Sequence, residues 1–210
     1  MGSFFNSENF LWRWSAKLAD FVVLSCFWVL CCIPVVTIVP ACIALYDATA
    51  HCVLRTEGNT YRRFFQTFKK ELKRGIPLTF LWAIAAFILN AGYQVLTQLA
   101  EGSTGWALFS TAYFVTLFIP LGAACWAVAL ESRFTCSVPT LHRDAFLFTF
   151  VHLPQTLAAV VLFVIGLNLC LNVIFLLMVV PGAVAYLQTL FMERVLKKYM
   201  PEEEAAEISQ

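Results

Sequence analysis

The sequence predicts an all-α integral membrane protein, a six-helix transmembrane bundle with cytoplasmic amphipathic helices. Three observations lead to this fold class. The chain is 60% hydrophobic and only 13% charged, whereas soluble domains carry about 25% charged residues. Its apolar residues come in long blocks, and its fourteen Lys and Arg residues fall in clusters between those blocks. This pattern suits a lipid environment, and residues 1–210 are interpreted as a single transmembrane domain.

Three apolar blocks are long enough to cross a bilayer without further argument. A bilayer core of about 30 Å requires about 20 apolar residues in a helix. The sequence therefore predicts membrane spans at residues 76–99, 106–130 and 153–179.

Charge indicates how the remaining apolar sequence crosses the membrane. Short cytoplasmic loops are rich in Lys and Arg, and such residues flank the apolar block from Leu18 to Leu54 on both sides. The block must then cross twice and turn between Pro34 and Pro40, which gives spans at about 18–34 and 40–55. A last span is predicted at 181–196. This arrangement places every Lys and Arg, and both termini, on the cytoplasmic side of a bacterial cytoplasmic membrane. The alternative has five spans, with Leu18 to Leu54 forming one bent helix.

Two segments between the spans, residues 60–74 and 134–152, are predicted to be cytoplasmic amphipathic helices. In the first, aromatic residues recur at helical spacing and cations cover most of the remaining surface, as in helices that lie at a membrane interface. This segment is a candidate docking surface for lipid or for a cytoplasmic partner. Its candidate residues are Arg62, Arg63, Phe64, Phe68, Lys69, Lys70, Lys73 and Arg74.

A short phrase recurs three times along the chain. It consists of a proline, several small residues and then an aromatic residue, and it begins at Pro40, Pro120 and Pro181. An arginine follows near the inner end of each corresponding span. Parallel repeats of this kind occur in transporters, but apolar sequence also produces such similarities by chance. An internal repeat and a chance similarity both remain open.

Asp47 is the most informative single residue, because it falls near the middle of the second predicted span. A carboxylate at that depth is costly, and it usually marks a functional pathway or an ion pair. Three polar pairs have one-turn spacing within predicted spans: Asp47 with His51, Asn90 with Gln94, and Asn168 with Asn172. One hypothesis is that these pairs converge on a polar intramembrane site for a proton or a small hydrophilic solute. The alternative is that they only form hydrogen bonds between helices.

The sequence contains no motif of a known catalytic, cofactor or metal site. A Ser-His-Asp grouping, a zinc spacing, a phosphate-binding loop and a dinucleotide fingerprint are all missing. The eight cysteines include no C-x-x-C pair and lie in or beside apolar segments, as expected of small packing residues. We therefore expect no enzymatic activity, cofactor or metal. Nucleic-acid binding is also not expected, because no large soluble face organises the cations.

Three stretches in the N-terminal third carry a family resemblance. They are Leu18-Ala19-Asp20-Phe21, the run from Phe27 to Ile38 with Ala44-Leu45-Tyr46 after it, and Phe64-Phe65-Gln66-Thr67-Phe68-Lys69. They resemble the bacterial YesL family, membrane proteins built around a domain of unknown function. Where that family would have a glycine after Thr37-Ile38, this chain has Val39, which bears on the conformation of the first outer turn.

The resemblance implies an association with carbohydrate uptake, because such proteins are often encoded beside sugar ABC transporters. It supplies no catalytic residues. The expected function is an accessory or regulatory membrane component that works beside carbohydrate ABC transporter subunits. The alternative is a small-solute transporter or channel that uses the region of Asp47. Assembly of the chain into a homo-oligomer is left open.

Overall fold

The structure is a computed structural model, and it describes residues 21–54, 60–100, 104–134 and 137–199. The described residues are almost entirely helical and contain no strand. In chain order the α-helices are α1 (Phe21–Cys32), α2 (Ile38–Leu54), α3 (Thr60–Ala100), α4 (Thr104–Thr116), α5 (Phe118–Arg133), α6 (Val138–Val151), α7 (Leu153–Asn172) and α8 (Val180–Leu196). Short 3-10 helices at Val35–Thr37 and Ile174–Met178 precede α2 and α8.

Three stretches of helix are long and apolar enough to cross a membrane: Thr60–Leu99, Leu108–Arg133 and Leu153–Asn172. They contain most of the three spans that length alone predicted, so those three predictions are confirmed as membrane-compatible helices. The other three predicted spans, 18–34, 40–55 and 181–196, correspond to α1, α2 and α8. Residues 18–20 and 55 lie outside the described part of the chain. α2 and α8 have 17 residues each, about 26 Å of helix.

The chain reverses direction at Pro34, as the two-crossing prediction requires. The hydroxyl of Thr37 donates to the carbonyls of Cys31 (2.6 Å) and Pro34 (2.7 Å) and so closes the turn. Leu24 of α1 then packs in one cluster with Ala44 and Ala48 of α2. The described residues of this region form two helices, and the single bent helix of the five-span alternative is not observed.

Two helix boundaries differ from those of the predicted segments. The amphipathic segment 60–74 and the span 76–99 form one continuous helix, α3, of 41 residues with Pro77 inside it. The two halves stay in line because Phe64, Glu71 and Leu78 share one buried face. Conversely, the span 106–130 is divided into α4 and α5 at Leu117. Pro120 causes that break, since it has no N–H to bond the carbonyl one turn earlier.

The second predicted amphipathic segment, 134–152, does form a separate helix, α6. Residues 135–136 of that segment lie outside the described part of the chain. Leu141, Ala145 and Thr149 are buried at a spacing of four residues, which gives α6 a single buried face. α6 packs mainly on α5.

The three recurring phrases open three helices that meet at the centre of the bundle. Pro40, Pro120 and Pro181 lie in the first turn of α2, α5 and α8, where proline is tolerated in a helix. These helices have 17, 16 and 17 residues, and each contacts the other two. The repeated phrase therefore marks three structurally similar inner helices.

α2 is the most enclosed helix, and it runs antiparallel along the charged half of α3. Its residues 43–51 are all buried. The amide of Val39 donates to Thr79 Oγ1 (3.4 Å) near one end of α2, and Asp47 meets Arg63 toward the other. The helices approach closely at Gly75, where an added Cβ would lie 2.7–2.9 Å from three ring atoms of Pro40.

We expect Gly75→Ala to destabilise the protein by about 1–3 kcal/mol, because the rigid proline ring cannot move aside without separating α2 from α3. Gly105→Ala, at an exposed helical position in α4, is the matched control, and it isolates the helix propensity that alanine adds. Chemical denaturation in detergent micelles measures both. Equal stability of the two variants would show that the close approach at Gly75 is absent.

Candidate functional site

Charged side chains from four helices meet where α2, α5 and α8 end and α3 begins. We call this group the ion cluster. Its members are Asp47 and His51 of α2, Arg63 of α3, Arg133 of α5, and Glu193 of α8. Its two carboxylates and two guanidinium groups balance to zero net charge. The cluster therefore ties together four helices that are distant in sequence.

Asp47 is buried, with only 1% of its surface exposed, and its carboxylate is well supplied with hydrogen bonds. Arg63 Nε donates to Oδ2 at 2.9 Å, and the hydroxyl of Thr67 donates to the same oxygen at 2.6 Å. Arg133 Nη1 lies 3.7 Å from Oδ1. A buried carboxylate is tolerated when it is paired in this way. The geometry makes Asp47 a structural acceptor with little capacity left for another ligand.

Arg133 links Asp47 to a second buried carboxylate. Its Nε and Nη2 lie 2.9 Å and 2.8 Å from Glu193 Oε1. The side chain of Arg133 is only 10% exposed and that of Glu193 is 2% exposed. Charge-assisted hydrogen bonds of this length are stronger than neutral ones. Arg133 is therefore the central cation of the cluster, because it neutralises carboxylates on both α2 and α8.

The imidazole of His51 completes the cluster. Its Nε2 lies 2.9 Å from Arg63 Nη2, 3.3 Å from Arg133 Nη1 and 3.4 Å from Asp47 Oδ1. His51 therefore contacts both guanidinium groups and the carboxylate between them.

The structure places the three polar pairs apart from one another. Asp47 and His51 belong to the ion cluster. Asn90 and Gln94 are exposed on α3 and bond each other at 2.9 Å. They lie 27 and 31 residues after Arg63, which is about 40 Å or more along the helix.

Asn168 and Asn172 are exposed at the far end of α7 and bond each other at 2.8 Å. Amides can satisfy each other within one helical turn, whereas the carboxylate of Asp47 requires cations from other helices. Asp47 lies in the middle of α2 and is paired there with Arg63 of α3 and Arg133 of α5.

The predicted docking residues of 60–74 divide into two groups. Arg62, Lys69 and Lys73 are exposed and form no ion pair with any residue that the structure describes. Arg63 binds Asp47, while Lys70 lies 3.5 Å from Glu71 and Arg74 lies 3.6 Å from Glu131.

Of the two predicted docking phenylalanines, Phe64 is buried inside the protein and Phe68 is partly exposed. Phe64 packs with Leu24, Ala44 and Ala48. The rings of Phe64 and Phe68 stack at 6.2 Å, and Phe27 of α1 stacks on Phe64 at 6.4 Å. Phe64 therefore packs α3 against α1 and α2, while Tyr61 and Phe65 of the same segment stay exposed.

Sequence reasoning missed Arg133 and Glu193 as partners of Asp47. It paired neither residue with Asp47. The available signal was the position of Glu193 inside the last apolar segment, where a carboxylate needs a cation. Sequence spacing could not identify which cation, since 60 residues separate Arg133 from Glu193. The described residues include no group of three or more side chains suited to bind a metal ion.

Comparison with known proteins places the first part of this arrangement in a family. Residues 21–93 match the family model described as "Protein of unknown function, DUF624". No curated protein and no solved structure matches the chain. The matched region contains α1, α2 and most of α3, and so includes Asp47, His51 and Arg63, whereas Arg133 and Glu193 lie beyond it. Residues 21–93 therefore form a DUF624 domain, the domain found in YesL-like proteins, and the family resemblance seen in the sequence is confirmed.

Proposed function

We propose that the protein is an accessory or regulatory membrane component of carbohydrate uptake, which docks on an ABC transporter subunit through one face of α3. We call this the basic face, and it consists of Arg62, Lys69 and Lys73. One observation carries the proposal. These three cations of the first half of α3 are exposed and form no ion pair among the described residues, whereas Phe64 on the same segment is buried.

The proposal includes the six-span topology with both termini in the cytoplasm of a bacterial cell. Its support is that the first half of α3 concentrates cations, of which Arg63 and Arg74 meet acidic partners on α2 and α5. Clusters of Lys and Arg are typical of the cytoplasmic side. The basic face lies on the same half of α3, so a partner would reach it from the cytoplasm. Charge complementarity favours an acidic surface on that partner.

The geometry gives less support to a transporter or channel that uses Asp47. Such a protein needs a polar route, and the three polar pairs that could line one are far apart. Asp47 itself is held by Arg63, Arg133 and Thr67. A proton or solute site there would first have to displace these partners. An accessory role needs only a stable bundle and an exposed surface.

Co-purification from native membranes tests the proposed function. We expect permease subunits of a carbohydrate ABC transporter to be recovered with the wild-type protein. We expect their recovery to fall on the order of tenfold in the Lys69→Glu/Lys73→Glu variant, because charge reversal creates repulsion at the interface. The matched control is Arg194→Glu/Lys198→Glu, which reverses two exposed cations outside the basic face.

Recovery of the protein without any such permease would contradict the proposal. Equal losses in the two double variants would show that the basic face has no special role.

A further inference from the structure

A polar cleft opens beside the ion cluster, between the first half of α3 and the ends of α2 and α5. Its volume is about 270 Å³, and its lining includes Asp47, Arg63, Gln66, Lys70, Glu71 and Ser132. Arg63 and Lys70 are largely solvent-exposed, so a dissolved molecule can reach it. The volume lies just below the range of about 300–1,000 Å³ for pockets that hold drug-sized ligands. The cleft therefore suits a smaller molecule.

Glu71 is the lining group with unused hydrogen-bonding capacity. Only 4% of its surface is exposed. Its Oε1 lies 3.5 Å from Lys70 Nζ, whereas its Oε2 accepts no hydrogen bond from any residue that the structure describes. Asp47, by contrast, already accepts bonds from Arg63 and Thr67. Because a buried carboxylate oxygen without a donor is unfavourable, Glu71 favours a ligand that donates a hydrogen bond.

The charges of the cleft argue against an ionic ligand. Asp47 and Glu71 balance Arg63 and Lys70, so the lining selects neither a cation nor an anion by net charge. In the cleft, Glu71 can accept hydrogen bonds, Lys70 can donate them, and the amide of Gln66 can do both. A hydroxyl group donates and accepts at the same time, so a molecule with several hydroxyl groups can satisfy all three residues.

We propose that this cleft binds a small, uncharged, polyhydroxylated molecule of about the size of a monosaccharide. Glu71 accepts hydrogen bonds from its hydroxyl groups, and Lys70 and Gln66 donate to its oxygens. The claim that this site responds to carbohydrate supply rests on the proposed function. The claim that the cleft binds the molecule does not, because binding can be measured on the purified chain alone.

Isothermal titration calorimetry on the full chain in detergent micelles tests the site. The neutral probes are myo-inositol and D-glucose, and the charged probes are inorganic phosphate and calcium ion. Heat of binding is preferred to a thermal shift, because polyols are excluded from protein surfaces and stabilise folded proteins without binding. We expect saturable binding of at least one neutral probe and no binding of the charged probes.

Glu71→Gln removes the ionised acceptor and keeps the size of the side chain, so it should weaken binding about 10- to 100-fold. Gln66→Ala, at an exposed lining position, should weaken it by about 2- to 10-fold and covers the case in which Glu71→Gln fails to fold. Lys198→Gln, which changes an exposed cation outside both the cleft and the basic face, should bind as the wild type does.

Three outcomes would overturn the inference. They are no binding of either neutral probe, preferential binding of a charged probe, and unchanged affinity in both cleft variants. Failure of co-purification with a transporter would refute the proposed function alone and would leave a positive titration intact.

Discussion

Replacement of Arg133 by methionine is expected to destabilise the protein by about 3–5 kcal/mol, the usual cost of removing one partner from a buried ion pair. The variant removes the only cation that the structure describes beside Glu193. It leaves Asp47 with Arg63 as its one remaining arginine partner. Methionine keeps a similar length and flexible packing, so the loss reports charge more than volume. Denaturation in detergent micelles, followed by the fluorescence of the six tryptophans, measures the change.

The control for this variant is Arg143→Met, which removes an exposed cation from α6 and should change stability by less than about 0.5 kcal/mol. If Arg133→Met cost less than about 1 kcal/mol, the ion pairs of Arg133 would contribute no more to stability than surface salt bridges do. The cluster would then not be the buried network described above.

Phe64→Ala is the second change with a large expected effect, a loss of about 3–5 kcal/mol, because it opens a cavity where α1, α2 and α3 meet. The ring is fully buried, and it stacks with Phe27 and Phe68. The same denaturation experiment measures the loss.

Phe65→Ala, one position along the helix, is the comparison. Its side chain is 38% exposed and contacts Phe27 and Phe64 at its edge, so we expect a loss near 1 kcal/mol, the usual value of such an aromatic pair. If both phenylalanines faced lipid, as the sequence predicted for Phe64, the two variants would lose similar amounts. Similar losses would therefore contradict the packing of Phe64 against α1 and α2.

Three stretches long and apolar enough to cross a membrane could be predicted from the sequence, because a bilayer sets a minimum length for a span. The continuity of α3 through Gly75 and the break at Leu117 could not. The sequence predicted a segment that ends at residue 74 and a span that begins at residue 76, but packing against α2 keeps α3 continuous. Pro120 lies inside a fully apolar block, so hydropathy did not indicate the helix break at Leu117, three residues earlier.

The sequence also could not show which side of each helix faces lipid and which side faces protein. A lipid tail is about as apolar as a leucine side chain, so an aromatic stripe such as Phe64 and Phe68 fits either environment. A reversal between Pro34 and Pro40 was expected from the charge on both flanks of the apolar block, and the described residues turn at Pro34 to Thr37, with Pro40 already inside α2.

The candidate site was predicted in part. Asp47 was identified as the residue that most needs explanation, since a carboxylate in an apolar segment must be paired. Its one-turn neighbour His51 was also placed correctly beside it. The partners Arg133 and Glu193 come from other helices, far along the chain, and only the tertiary packing of α2, α5 and α8 brings them together. Asn90 and Asn168 lie outside the cluster, because each amide forms its hydrogen bond with a neighbour one turn away on its own helix, Gln94 and Asn172.

The central claim is that Arg133 and Glu193 form a buried, energetically coupled pair that joins α5 to α8. A double-mutant cycle with Arg133→Met, Glu193→Gln and the combined variant measures that coupling directly from free energies of unfolding. We predict a coupling of about 1.5–3 kcal/mol, the range for hydrogen bonds to charged groups. Additive losses, with a coupling below about 0.5 kcal/mol, are what independent sites show, and that result would contradict the account.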